Sequence, residues 1–209
     1  MLKEMSNRLA VSLGRQLQAS NSDVEVYAYG LEIMLGVLVK FAWLIVLAVV
    51  FGLLWPVILV SFGLFGFRYL GGGSHLSTYL RCLVFGLTVI LGLAWFSTFI
   101  SNSLIISVLL GISVIWGVMV IIDRVPAGTE KKTITDPEQI LKQKLKTFVF
   151  MLLWCATSWV LLYIGHSLES CALILGGLMG IFSISTWGYS FTNGLDILFN
   201  QIERRYCNG

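Results

Sequence analysis

The run "LEIMLGVLVKFAWLIVLAVVFGLL", residues 31–54, contains only two charged residues, Glu32 and Lys40. A helix of about 20 apolar residues crosses the hydrocarbon core of a bilayer, so this stretch alone predicts a membrane span. Further apolar runs follow at 55–67, 82–100, 103–122, 147–165 and 171–190, and the first of these is short for a span. Trp55-Pro56 is the expected turn between the first two segments, because proline disfavours a helical residue before it and cannot complete the helix ladder. The composition agrees: 57% of residues are hydrophobic and 12% charged, with a mean hydropathy of +0.86, whereas soluble domains carry about 25% charged residues. The reading is an all-α integral membrane protein with about six transmembrane helices, forming a single membrane domain over residues 1–209.

The thirty residues ahead of the first run are mostly polar and lack the pattern of a cleaved signal peptide. Within them, Leu2, Met5, Leu9, Leu13 and Leu17 recur every three or four residues and make the apolar stripe of an amphipathic helix, with Lys3, Arg8 and Arg15 elsewhere. Such a helix lies on the membrane surface or packs on the rest of the protein.

Charge orients the spans. With a cytoplasmic N-terminus and six crossings, both termini, residues 68–81 and residues 123–146 are cytoplasmic. These pieces hold thirteen of the fourteen basic residues, the exception being Lys40. The external turns near Ser101 and at 166–170 hold none, as the positive-inside rule requires. The 123–146 stretch is expected to be a basic, solvated loop.

One cytoplasmic stretch stands out: "RYLGGGSHLSTYLRC", residues 68–82. The four cysteines are Cys82, Cys155, Cys171 and Cys207, with no C-x-x-C pair, and the two histidines, His75 and His166, fall on opposite sides of the membrane in this topology. That spacing argues against a disulfide framework or a metal site, and no cofactor is expected. It leaves Cys82 with His75 seven positions earlier, and an imidazole can take a thiol's proton and return it to a leaving amine. Arg68 and Arg81 can favour a thiolate or hold a substrate carboxylate. Gly72 and Gly73, with Gly71, permit close approach of a peptide. A continuous helix would hold His75 and Cys82 about 10 Å apart, too far for proton transfer, so the helix must start after His75 or the glycines must bend the chain. The competing reading is a glycine hinge in a small transporter or scaffold with no enzymatic role. Against a transporter, Glu32 and Lys40 are the only charges within the spans, and no internal repeat is evident.

The pattern R-x4-G-x-H-x6-C, made by Arg68, Gly73, His75 and Cys82, resembles the accessory gene regulator B family of Gram-positive quorum-sensing systems. The likeness extends to "YGLE" at 29–32 followed by Lys40, and to Pro126 followed by a lysine-bearing loop. The resemblance implies a cysteine endopeptidase of the cell membrane, with its active site on the cytoplasmic side. Its substrate would be a small AgrD-like propeptide; no nucleic acid is expected. Cys82 would cleave off the propeptide's C-terminal tail and hold the remainder as a thioester until ring closure to a thiolactone or lactone. Gly176-x-x-x-Gly180 is a small-residue face suited to helix packing within the chain, or between two copies as a homodimer.

Overall fold

The computed structural model describes residues 2–127 and 136–207. The described residues form eight helices and no named strand. Six helices are long and apolar enough to cross a membrane: Ser22–Val50, Leu54–Gly71, Tyr79–Ser97, Ser103–Arg124, Pro137–Tyr163 and Ser167–Ile184. The chain divides into two compact units, Met1–Phe51 and Gly52–Gly209.

The first unit is a hairpin of α1 (Leu2–Leu17) and α2 (Asn21–Val50). Ser20 starts α2 with a reciprocal cap: its hydroxyl accepts the Asp23 N–H, and the Asp23 carboxylate accepts the Ser20 N–H. The face of α1 that packs is built from small residues, since Ser6, Ala10 and Gly14 are buried. A Cβ on Gly14 would fall 2.4 Å from Val24 Cγ2. Met5, Leu9, Leu13 and Leu17 of the predicted stripe stay exposed, as they must if that stripe is to meet a membrane surface; the side chain of Leu2 lies outside the described residues.

The second unit comprises α3 (Leu54–Gly71), α4 (Tyr79–Ser97), α5 (Ser103–Arg124), α6 (Pro137–Tyr163), α7 (Ser167–Ile184) and α8 (Thr186–Cys207). Its axis is α7, buried continuously from Ser170 to Gly177 and again at Gly180, Ile181, Ser183 and Ile184. Lipid is as apolar as leucine, so helices in a membrane associate through close packing of small residues. Here a Cβ on Gly176 would lie 2.2 Å from the Val60 carbonyl oxygen, one on Gly63 2.6 Å from the Gly177 nitrogen, and one on Gly180 2.8 Å from Phe67 Cβ. The advancing pairs 60–176, 63–177 and 67–180 make α3 and α7 parallel neighbours. The Gly176-x-x-x-Gly180 face is therefore spent on packing inside the chain.

Trp154 closes the other side of α7, donating from Nε1 to the Leu173 carbonyl at 3.0 Å and meeting Phe67 edge to face at 5.4 Å. On α5, Ile106, Leu110, Ser113 and Gly117 turn inward. Leu104, Val108, Ile112, Ile115, Met119 and Ile122 form an exposed stripe at helical spacing, the surface expected to face lipid.

Several expected boundaries move. The first turn lies at Phe51–Leu53 instead of Trp55-Pro56: Gly52 has φ +67, and Pro56 sits inside the first turn of α3, where its missing N–H leaves no helical bond unmade. The segment expected to be short is a full 18-residue helix running beside α7 without turning back. Half of the expected 123–146 loop is helix. Asp136 caps α6, with Pro137 at its start, so residues 137–146 are a polar extension of that helix. The last apolar run, 171–190, is split at Ser185 into α7 and the amphipathic α8.

Candidate functional site

The C-terminal ends of α3, α5 and α7 meet the N-terminal ends of α4 and α6 at one end of the second unit. Two side chains of α6 satisfy carbonyls that helix ends leave unpaired: Gln143 donates to Leu70 O at 2.9 Å and Lys144 to Ile122 O at 2.6 Å. His166, at the start of α7, lies at the other end from His75, whose neighbour Ser74 donates its backbone N–H to Ser183 O near the end of α7, at 2.9 Å.

The stretch expected to carry the chemistry is shaped by its glycines. Gly72 has φ +85 and Gly73 φ +146, values that side-chain-bearing residues rarely adopt. A Cβ on Gly72 would sit 2.2 Å from Ala127 O, and one on Gly73 3.0 Å from Ser183 Oγ. A close approach at both glycines is thus made by the chain itself. The Ala127 N–H donates to Gly71 O at 2.8 Å, which fastens the turn from its other side.

Helix α4 begins only at Tyr79, with Thr78 as its cap, which meets the condition that the helix start after His75. Cys82 occupies the first turn of α4, its N–H bonded to Thr78 O at 3.0 Å, at the positive end of the helix dipole. Cys82 is half-buried and His75 exposed.

Arg68, in the last turn of α3, joins these parts. Its Nη2 donates to Ser74 O at 2.6 Å and lies 3.2 Å from His75 Nδ1 and 3.3 Å from Nε2. One guanidinium nitrogen is thus within hydrogen-bonding distance of both imidazole nitrogens. The same guanidinium interacts electrostatically with the Cys82 thiol and the Tyr189 phenol. Arg68 is therefore the shared neighbour of the predicted nucleophile and base.

Arg81 has a different position. Its guanidinium donates to Asn200 Oδ1 and Glu203 Oε2, both at 2.8 Å, and to Asp196 Oδ1 at 3.4 Å. These acceptors belong to α8, so the Arg81 charge is matched within the chain. Of the lysines in the stretch expected to be a basic loop, Lys131 and Lys132 lie outside the described residues. Lys142 pairs with Glu138, Lys144 binds Ile122 O, and Lys146 is exposed.

Residues 191–202 place Phe191, Leu195, Leu198 and Ile202 at helical spacing, a signal for α8 that a search for continuous apolar runs passes over. The same helix supplies Tyr189, unforeseen from sequence. With Asp123, Arg124, Pro126, Ala127 and Ile184 it lines an open cavity of about 320 Å³ beside the glycine turn. The Tyr189 hydroxyl is buried and finds no hydrogen-bond partner among the described residues. Burial pushes this phenol up from its ordinary range, and nearby Arg68 opposes the push. Cys155 is half-buried and Cys171 buried within the spans; the side chain of Cys207 lies outside the described residues. Among the described residues no group of three His, Cys, Asp or Glu side chains could hold a metal ion.

No curated protein and no solved structure matches this chain. The family model described as accessory gene regulator B (AgrB) matches residues 6–184, from within α1 to the last residue of α7, including all of the Arg68, Gly73, His75 and Cys82 pattern. With that match over most of its length and a bundle of membrane-length helices around the motif, this chain belongs to the accessory gene regulator B family.

Proposed function

We propose that the protein is a membrane-embedded cysteine endopeptidase that matures a quorum-sensing propeptide. The observation that carries this reading is Arg68, which contacts the His75 ring and interacts with the Cys82 thiol where α4 starts after the glycine turn. His75 takes the Cys82 proton, and the sulfur adds to a propeptide carbonyl. The tetrahedral adduct collapses as His75 protonates the leaving amine, releasing the C-terminal tail and leaving the upstream piece as a thioester. An internal Cys or Ser of the bound peptide then attacks the thioester and closes a thiolactone or lactone ring, and its proton returns to the Cys82 sulfur through His75. The thioester keeps the acyl group activated for that exchange provided water is excluded, which a site at a membrane interface favours. The pinning of Gly72 and Gly73 against Ala127 and Ser183 counts against a hinge, and with it against a transporter built on one.

The test is covalent trapping. The full-length protein in nanodiscs, given a synthetic propeptide with a central cysteine and an acidic tail, accumulates an acyl adduct on Cys82. Mass spectrometry detects that adduct, and neutral hydroxylamine removes it. Release of the tail with no adduct at any time would exclude the thioester route.

The active site faces the cytoplasm of a cell membrane in this proposal, since the basic ends of α3 to α6 gather at the site. A reporter cysteine at Ser101, exposed in the turn between α4 and α5, is then labelled by an impermeant maleimide in intact cells, and one at Glu138 only after permeabilisation. The reverse pattern would invert the topology.

A further inference from the structure

The chemistry proposed above leaves one cluster of polar side chains on α8 unused, and it converges on the segment between His75 and Cys82. Asp196 Oδ2 accepts the Ser77 backbone N–H at 2.9 Å, and Asp196 Oδ1 accepts the Ser77 hydroxyl at 2.9 Å. Arg81 Nη1 donates to Asp196 Oδ1 at 3.4 Å and to Asn200 Oδ1 at 2.8 Å, while Nη2 reaches Glu203 Oε2 at 2.8 Å. The guanidinium also lies 5.4 Å from the centre of the Phe199 ring. Ser77 is two residues after His75 and Arg81 is one before Cys82, so one carboxylate is tied to both sides of the catalytic spacing.

The ion pair at the centre of the cluster is shielded, although Ser77 is exposed. The Arg81 and Asp196 side chains keep 13% and 17% of their exposure, whereas Glu203 keeps 69%. An exposed pair contributes little, but a shielded carboxylate with several charge-assisted hydrogen bonds is costly to disturb, because the largely buried Arg81 loses its matching charge. The upstream end of the segment is held independently, by Ser74 on Ser183 and by Gly72 against Ala127. The downstream end has Asp196. Helix α8 is itself aimed by its start: Ser185 ends α7 in an extended conformation, and its hydroxyl accepts the Gly188 N–H at 3.2 Å.

We propose that Asp196 is a positioning residue for the peptidase reaction, and that α8 clamps the His75 loop to the first turn of α4 so that imidazole and thiol keep a working separation. The proposal rests on the peptidase reading of Cys82 and His75. It gives Arg81 a partner of its own chain in place of a substrate carboxylate. The clamp acts on the catalytic pair and not on the surface that holds the peptide, so its loss is read in kcat.

The test uses the full-length protein in nanodiscs with a synthetic propeptide. Asp196→Asn keeps the shape of the side chain but removes the charge and replaces one acceptor oxygen by a donor. Its kcat is expected to fall about tenfold or more, the factor typical of a lost charge-assisted hydrogen bond, with KM changed by less than about twofold. Hydrogen exchange should quicken at the amides of residues 76–81 and stay unchanged along α7, a local signature that general loss of structure does not produce. Should Asp196→Asn fail to accumulate, Ser77→Ala carries the test. It removes only the hydroxyl bond and is expected to lower kcat a few-fold, about the worth of one neutral hydrogen bond. Wild-type kcat with unaltered exchange in these variants would overturn the clamp. A parallel Cys82→Ala sample separates the two readings: if it still cleaves, the peptidase assignment itself fails; if it is inert while Asp196→Asn matches wild type, only the clamp fails.

Discussion

Cys82→Ala abolishes release of the propeptide tail, lowering the rate by roughly 10³-fold or more, the scale on which loss of a catalytic nucleophile acts. Its amount in the membrane stays at the wild-type level. Cys82 is half-buried at the start of α4 and is not among the buried residues that form the core, so exchanging a thiol for a hydrogen there leaves no large cavity. His75→Ala has a comparable effect, because a thiol without its base is a weak nucleophile. Residues that act as one unit are not additive, so the double variant is expected to be no slower than Cys82→Ala alone. Mass spectrometry of the released tail, with immunoblots of the membrane fraction, measures both quantities. Cleavage at the wild-type rate by Cys82→Ala would remove the nucleophile. Replacing Cys155 and Cys171 by Ala leaves cleavage intact and lowers stability at Cys171, which is fully buried in α7.

Arg68→Lys is expected to lower kcat/KM by about 10²-fold although the charge is conserved. One guanidinium nitrogen binds Ser74 O at 2.6 Å while lying 3.2 Å from His75 Nδ1 and 3.3 Å from Nε2. A lysine ammonium is a compact, strongly hydrated point charge without the fixed fork of donors, so it cannot copy the geometry that reaches the carbonyl and the imidazole together. Initial rates over a range of propeptide concentrations check this, at low and at physiological salt. A purely electrostatic role would let lysine substitute with little loss and would show a salt dependence, because charge-only attraction is screened over about 8 Å at physiological ionic strength. Wild-type kinetics in Arg68→Lys would take Arg68 out of the site.

The start of α6 shows what kind of information a sequence carries. Hydropathy marks where a helix enters lipid, so the apolar run begins at 147, yet the helix begins at Pro137. "DPE" at 136–138 is a local start signal, a capping aspartate with proline in the first turn, and it is legible to a search for caps where a search for spans does not see it. The same limitation merges α7 and α8. Ser185 breaks the helix by its backbone conformation, and the hydropathy of residues 171–190 gives no sign of it.

Membrane class, span number and an irregular glycine turn ahead of His75 follow from the sequence alone, because burial in lipid depends on the apolarity of contiguous residues and glycine's access to positive φ is a property of the residue itself. The surroundings of Gly72, Gly73, Arg81 and Asp196 were decided only by tertiary structure. Each depends on a partner from a distant element: Ala127 for Gly72, Ser183 for Gly73, and α8 for the loop and for Arg81. Asp196 lies 115 positions from Arg81, and no periodicity or motif links residues so far apart. What brings them together is the packing of α3 along α7 through Gly63, Gly176 and Gly180, which places the glycine turn against the end of α7 and so beneath the helix that follows it.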